Sequence, residues 1–243
     1  MTIPAKAFQR WLQSIAPDAS TADVCRVSGI KRTTLAQQMV RGKVSVSTVV
    51  SISRAYNINP VSALAGFDSF HVLAGPPRPP TRTELVSQVS TPDLLRALLV
   101  RPAMEPAQGG TAPALSPAPH PTSVKNWVDA IDDGEVRHRV STATGVAPQN
   151  YSAQLTANRL SPELAVATAM AAGVGPAGGL VATGIITEEE AGWPSGARQA
   201  ALDSLSDGDL TALAGERLQA MGKVLRRQEQ DQAQTDKIWE NLG

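Results

Sequence analysis

The sequence has little of several things that would point to particular chemistries. It holds one cysteine, Cys25, and three scattered histidines, His71, His120 and His138. A single cysteine excludes a disulfide framework and a cysteine-built zinc site. Three separated histidines do not make a metal centre. Net charge is also absent, because 22 Lys and Arg balance 22 Asp and Glu over 243 residues. That balance excludes a uniformly basic chromatin-type protein and a disordered acidic tail. No stretch alternates polar and apolar residues for long, so strands are not expected. There is no Gly-rich phosphate loop, no HExxH and no pair of catalytic carboxylates. No enzyme activity and no cofactor are therefore expected. The N-terminus lacks a charged-then-apolar leader, which leaves a cytoplasmic location as the expectation. The one long uncharged run, Leu164 to Ile186, is mostly Ala and Gly and is interrupted by Gly173-Val174-Gly175-Pro176. It reads as two short helices and not as a membrane span, although its length would suffice.

What charge there is sits unevenly. Residues 1–66 carry eight basic residues against Asp18 and Asp23, a net of +6. Residues 183–243 carry six basic and eleven acidic residues, a net of −5. A basic start and an acidic end are the footprint of a nucleic-acid module followed by an assembly region.

The chain also resembles itself at an offset of 116 residues. Trp11 falls on Trp127, Gly29 on Gly145, Gln38 on Gln154, Ser45 on Ser161 and Pro60 on Pro176. Ten identities occur over the 56 positions from 11 to 66. The same offset places Ser90, Asp93 and Leu94 on Ser206, Asp209 and Leu210, so a unit of about 100 residues reads as duplicated. Between the copies lies Arg101 to Thr122, with six prolines and Gly109-Gly110. This composition predicts a Pro-rich linker, partly extended and partly flexible.

Helix signals are frequent in both copies. Phe8, Trp11, Leu12 and Ile15 share one helical face. Thr21 is expected to cap a second helix with Val24, Val27 and Ser28 inward, closed by Gly29. Cys25 reads as a small core residue there. A third helix runs from about Arg32 to Arg41, with Leu35 and Met39 behind it. Ser45 caps a fourth, and Asn59-Pro60 opens a fifth that ends at Gly66. In the second copy Gly145 closes helix two, and Pro148, Pro162 and Pro176 open the next three. Trp11 and Trp127 read as core. One accessory helix is expected from Thr83 to Val100, and Glu188-Glu189-Glu190 is expected to start another.

Short helices with a glycine turn between the second and third form the helix-turn-helix arrangement. The segment from Thr21 to Gly66, TADVCRVSGIKRTTLAQQMVRGKVSVSTVVSISRAYNINPVSALAG, resembles the lambda-repressor-like helix-turn-helix domain. More narrowly, it resembles the immunity repressors of actinobacterial phages and their prophages. VVSISRAYNINPVSALAGF is similar to that family's fourth and fifth helices. TGIITEEEA and LSDGDLTALA are similar to its C-terminal parts. Two departures stand out: the third helix is a residue longer than usual, and Lys31 and Ala147 occupy a position where the family often has a capping serine. The resemblance implies a repressor that maintains lysogeny by occupying operator DNA in a bacterial host. A self-cleaving Ser/Lys domain, found in some phage repressors, is a β-fold and has no counterpart here.

The expected architecture is all-α: two tandem helix-turn-helix units, each followed by an accessory helix, joined by the Pro-rich linker. The divisions are 1–67, 68–100, 101–122, 123–186 and 187–243. A DNA-reading helix needs polar side chains at its N-terminal end over a buried stripe. Lys31, Arg32, Thr33, Thr34 and Gln37 fit in the first copy, where Arg can read guanine, Gln adenine and Thr a thymine methyl. Arg41 and Lys43 suit backbone phosphates, which give affinity and position. In the second copy the candidates are Gln149, Asn150, Ser152 and Asn158, with Arg159 for phosphate. Gln38 and Gln154 share a repeat position, and either touch DNA or hold a helix pair. The slightly acidic second copy reads a second half-site or contacts protein. The C-terminal helix, Asp207 to about Glu240, carries a stripe of Leu210, Ala214, Leu218, Met221 and Leu225. Self-association through this helix is a partner expectation beside double-stranded operator DNA, with Ile238 and Trp239 as end anchors. The alternative function is a protein-interaction adaptor or antitoxin-type regulator on the same folds.

Overall fold

The computed structural model describes residues 3–101 and 114–242, with side chains as far as residue 235. The molecule is mostly helical. The order is β1 (Ile3–Pro4), α1 (Ala5–Ile15), α2 (Thr21–Ser28), α3 (Arg32–Val40), β2 (Lys43–Val44), α4 (Val46–Ala55), α5 (Pro60–Ala65), a 3-10 turn (Asp68–Leu73), α6 (Arg82–Ser87) and α7 (Thr91–Val100). After these come α8 (Ser123–Ile131), α9 (Val136–Thr144), α10 (Pro148–Thr156), α11 (Pro162–Ala171), α12 (Gly178–Ala182), α13 (Ala197–Asp203) and α14 (Asp207–Leu242). Two compact units form: one from Met1–Gln88 with Pro117–Ala197, the other from Val89–Ser116 with Arg198–Gly243.

In the first unit the sequence signals act as local physics requires. Gly29 and Gly145 end α2 and α9 at φ of 70° and 69°, the left-handed region that a side chain resists. Ser45 and Ser161 cap α4 and α11, accepting the amides of Thr48 and Leu164. Asn59 caps α5 with Pro60 at its start. Val46, Val49, Val50 and Ile52 are buried, as are Cys25, Phe8 and Trp127. Trp11 is half-buried and packs at a tilt against Phe8 and Phe67, with ring centroids 5.8 Å apart in each pair.

Several expectations are corrected. Two short strands exist: Ile3 pairs antiparallel with Val44, and Pro4 with Lys43. They escape an alternation search because each spans two residues. Ser20, and not Thr21, caps α2 by accepting the Asp23 amide. Val27 is 51% exposed, and Val24 and Cys25 supply the buried face instead. The single helix expected from Thr83 to Val100 is two, because Ser90 caps a new start and Pro92 sits in its first turn. α12 begins at Gly178, two residues beyond Pro176. Glu188-Glu189-Glu190 forms a turn in place of a helix start, with the Glu190 carboxylate accepting the Thr187 amide at 2.7 Å. No helix among the described residues is long and apolar enough to cross a membrane.

The expected linker lies partly outside the described residues, from 102 to 113. At its ends it is anchored. Arg101 donates to the carbonyls of Leu205, Leu202 and Asp203, capping the end of α13. Ser116 donates to Asp93 through both its amide and hydroxyl. His120 is buried and its ring Nε2 lies 3.0 Å from the Ser87 carbonyl oxygen.

The second unit is a helical core in which Val89, Leu94, Leu202, Leu210 and Ala214 are buried together, with Leu98, Leu205 and Leu213 against them. Beyond Ala214 the apolar stripe of α14 surfaces: Leu218, Met221 and Leu225 are 42%, 45% and 49% exposed. The side chains of Ile238 and Trp239 lie outside those described.

Candidate nucleic-acid interface

α3 follows α2 across the Gly29 turn, and Leu35 fastens it to the core at 1% exposure. With Leu35 inward, Lys31, Arg32, Thr33, Thr34 and Gln37 all stand exposed. The first turn of α3 holds no acidic residue, and Lys31 makes no side-chain cap. The amide end of the helix, with its partial positive charge, is therefore left for outside acceptors. Arg41 and Lys43 are exposed just after the helix, and Lys43 is fixed by its pairing with Pro4. Among the described residues, Lys31, Arg32, Arg41 and Lys43 enter no ion pair. Uncompensated cations beside uncharged donors are suited to a polyanion. Val40, 89% exposed, is an apolar side chain on the same helix that sequence reasoning passed over.

Gln38 is committed elsewhere. Its Oε1 accepts the Ser45 amide at 3.0 Å and the Thr48 hydroxyl at 3.0 Å. Gln154 repeats the arrangement, with its Oε1 accepting the Ser161 amide at 3.0 Å. Of the two roles open to this pair, holding helix to helix is the one whose geometry is present.

The second copy is built differently. Gln149, Asn150, Ser152 and Arg159 are exposed on and after α10. Asn158 is corrected as a base reader: at φ of 50° it turns its Oδ1 to the amides of Val124 and Lys125, capping α8. Behind α10, Tyr151 is 1% exposed and its hydroxyl lies 2.9 Å from the Thr168 hydroxyl. Leu35 and Ile52 hold these two positions in the first copy, so an apolar contact there becomes a hydrogen bond here. Nearby basic groups are neutralised locally: Arg137 pairs with Asp129 and Asp132, and Arg139 with Asp133. The Arg139 hydrogen bond holds the Asp133 carboxyl below its ordinary range.

Two further clusters join the halves of the first unit; Thr81 and Glu84 form a capping box at the start of α6, but neither pairing across the halves has a local sequence signal. Arg54 donates to both carboxylate oxygens of Glu190 at 2.6 and 2.8 Å and to the Ile185 carbonyl at 3.2 Å. This pairing lowers the Glu190 pKa and raises that of Arg54. Glu84, fully buried, accepts the Thr81 amide at 2.9 Å and the Trp127 ring N–H at 3.2 Å.

No family model, no curated protein and no solved structure matches this chain. The described residues contain no cluster of side chains able to hold a metal ion.

Proposed function

We propose that this protein is a sequence-specific double-stranded-DNA-binding transcriptional repressor with two helix-turn-helix units. The observation that carries the reading is the outer face of α3. On it and beside its two ends stand Lys31, Arg32, Arg41 and Lys43, which enter no ion pair among the described residues, together with Thr33, Thr34 and Gln37, over the buried Leu35. Base edges are read from Lys31, Arg32, Thr33, Thr34 and Gln37, while Arg41 and Lys43 hold phosphates. In the second copy Gln149, Asn150 and Ser152 read and Arg159 holds the backbone. The likeness of the segment from Thr21 to Gly66 to phage immunity repressors supports a role in maintaining lysogeny in a bacterial cytoplasm. Self-association rests on the stripe of α14 that continues past its buried part.

The alternative is a protein-interaction adaptor or antitoxin-type regulator, and the local neutralisation of Arg137 and Arg139 favours protein contact for the second half. Salt separates the two. Operator affinity falls steeply and linearly on logarithmic axes as phosphate counterions are released. Binding selection from random duplexes, followed by a salt titration of the best ligand, is the test. Absence of DNA binding at any salt concentration would favour the adaptor.

A further inference from the structure

The two halves of the first unit meet through one patch used twice. Asn59 donates from Nδ2 to the Glu190 carbonyl at 2.9 Å. Glu190 is the counterpart, 116 residues on, of Ala74. Gly175, the counterpart of Asn59, lies in turn against Arg78, whose carbonyl oxygen would be 3.3 Å from an added Cβ. Gly192, the counterpart of Pro76, lies against Pro77, with a closest approach of 3.2 Å for such a Cβ. The stretch near 59 in one half therefore meets the stretch near 74 to 78 in the other, and the reciprocal contact is also made. A cavity of about 570 Å³ on this seam is lined by Asn59, Val61 and Gly75 and by their counterparts Gly175, Ala177 and Ala191.

A patch that meets itself is the property of a two-fold relation, whereas head-to-tail stacking sets two different patches together. The core of the second unit shows the same property by itself: Leu94 and its counterpart Leu210 are both fully buried in it, as Val89 is beside Leu205.

We infer that the two DNA-reading halves are related by a pseudo-two-fold axis within one chain, so that its DNA partner is a pair of inverted half-sites of unequal sequence at one fixed separation. This rests on the DNA-binding reading above. A two-fold axis runs α3 and α10 in opposite senses, as inverted half-sites demand. The half-sites differ because Lys31, Arg32 and Thr33 are replaced at the equivalent positions by Ala147, Pro148 and Gln149. The separation is fixed because Arg54 and Glu190 fasten the halves side to side, independently of the length of the Pro-rich segment.

The test is selection of bound duplexes with the full chain, followed by spacing variants of the selected site. The expected result is two unequal inverted half-sites, one chain per duplex, and a loss of about tenfold or more when roughly 5 bp, half a helical turn, are inserted. Arg54→Ala and Glu190→Gln should each relax the spacing requirement while leaving preference within each half-site unchanged. Direct repeats, indifference to spacing, or protection of one half-site alone would overturn the inference and leave the DNA-binding reading standing. Failure to retain any duplex would overturn both.

Discussion

The side-chain oxygen of Gln38 accepts the amide of Ser45 at 3.0 Å. The bond ties the end of α3 to the cap of α4, since Ser45 itself accepts the Thr48 amide at 3.1 Å. It is made again between Gln154 and Ser161 at 3.0 Å. Gln38→Ala leaves a part-buried amide without its acceptor, and should cost about 1–2 kcal/mol. Gln38→Glu keeps the acceptor and should cost less. Urea unfolding of the three proteins measures the difference, and equal stability of wild type and Gln38→Ala would remove the bond from the account.

Arg32 and Lys43 have different expected signatures on DNA. Arg32→Ala should lose about 1–3 kcal/mol of discrimination at one base pair, because a base-edge contact is sequence-specific. Lys43→Ala should weaken all duplexes alike and reduce the salt slope by about one. Competition binding on point-substituted operators at several salt concentrations reads both. The same profile from the two variants would contradict the division of roles.

Gly179 is where α12 crosses α11. A Cβ there would lie 2.4 Å from the Ala165 carbonyl oxygen and 2.9 Å from the Trp127 ring. Gly179→Ala should therefore destabilise the first unit by about 1–3 kcal/mol through overpacking. Gly215→Ala, with open space around it, supplies the control on a helix where alanine is favoured. Thermal melts of the two variants should move in opposite directions.

Asp93 gives the second unit a dependence on pH. Burial pushes its pKa up, but the hydrogen bonds from Ser90 and Ser116 and the charge of Arg96 outweigh this and hold it below its ordinary value. A carboxylate with a depressed folded-state pKa contributes stability above its unfolded value, and that contribution is lost as pH falls through the folded one. Unfolding free energy should therefore decline below about pH 4. In Asp93→Asn the part of that slope due to this group should vanish. An unchanged slope in the variant would assign the effect to other groups.

Leu218→Lys with Met221→Lys places two charges on the exposed stripe of α14. If copies associate there, the wild type should show concentration-dependent mass by sedimentation and the variant should remain a single chain. The same mass for both at all concentrations would remove α14 as a contact.

Much of this arrangement was legible in the sequence, for a physical reason. Caps, left-handed glycines and prolines at helix starts are decided within four residues, so Gly29, Ser45, Asn59 and Ser161 could be placed directly. The offset of 116 extends that grammar, because α3 and α10, α4 and α11, and α7 and α14 each begin that far apart. Contacts between distant residues were not legible. Nothing near Glu84 announces Trp127, and nothing near Arg54 announces Glu190. Val27 and Asn158 were misplaced because their setting depends on packing partners remote in sequence. On α3 the exposed residues were found because a single buried position, Leu35, fixes the face of a nine-residue helix.

The anchoring of Arg101 and Ser116 has a consequence for how the polypeptide can be assembled. Both residues belong to the second unit, so the described chain on each side of residues 102–113 is held in the same body. The halves on either side are held by Glu84 with Trp127, Arg54 with Glu190, and α7 with α14. A gene interrupted between codons 102 and 113 should therefore encode two separate polypeptides that find each other and rebuild the molecule when made in one cell.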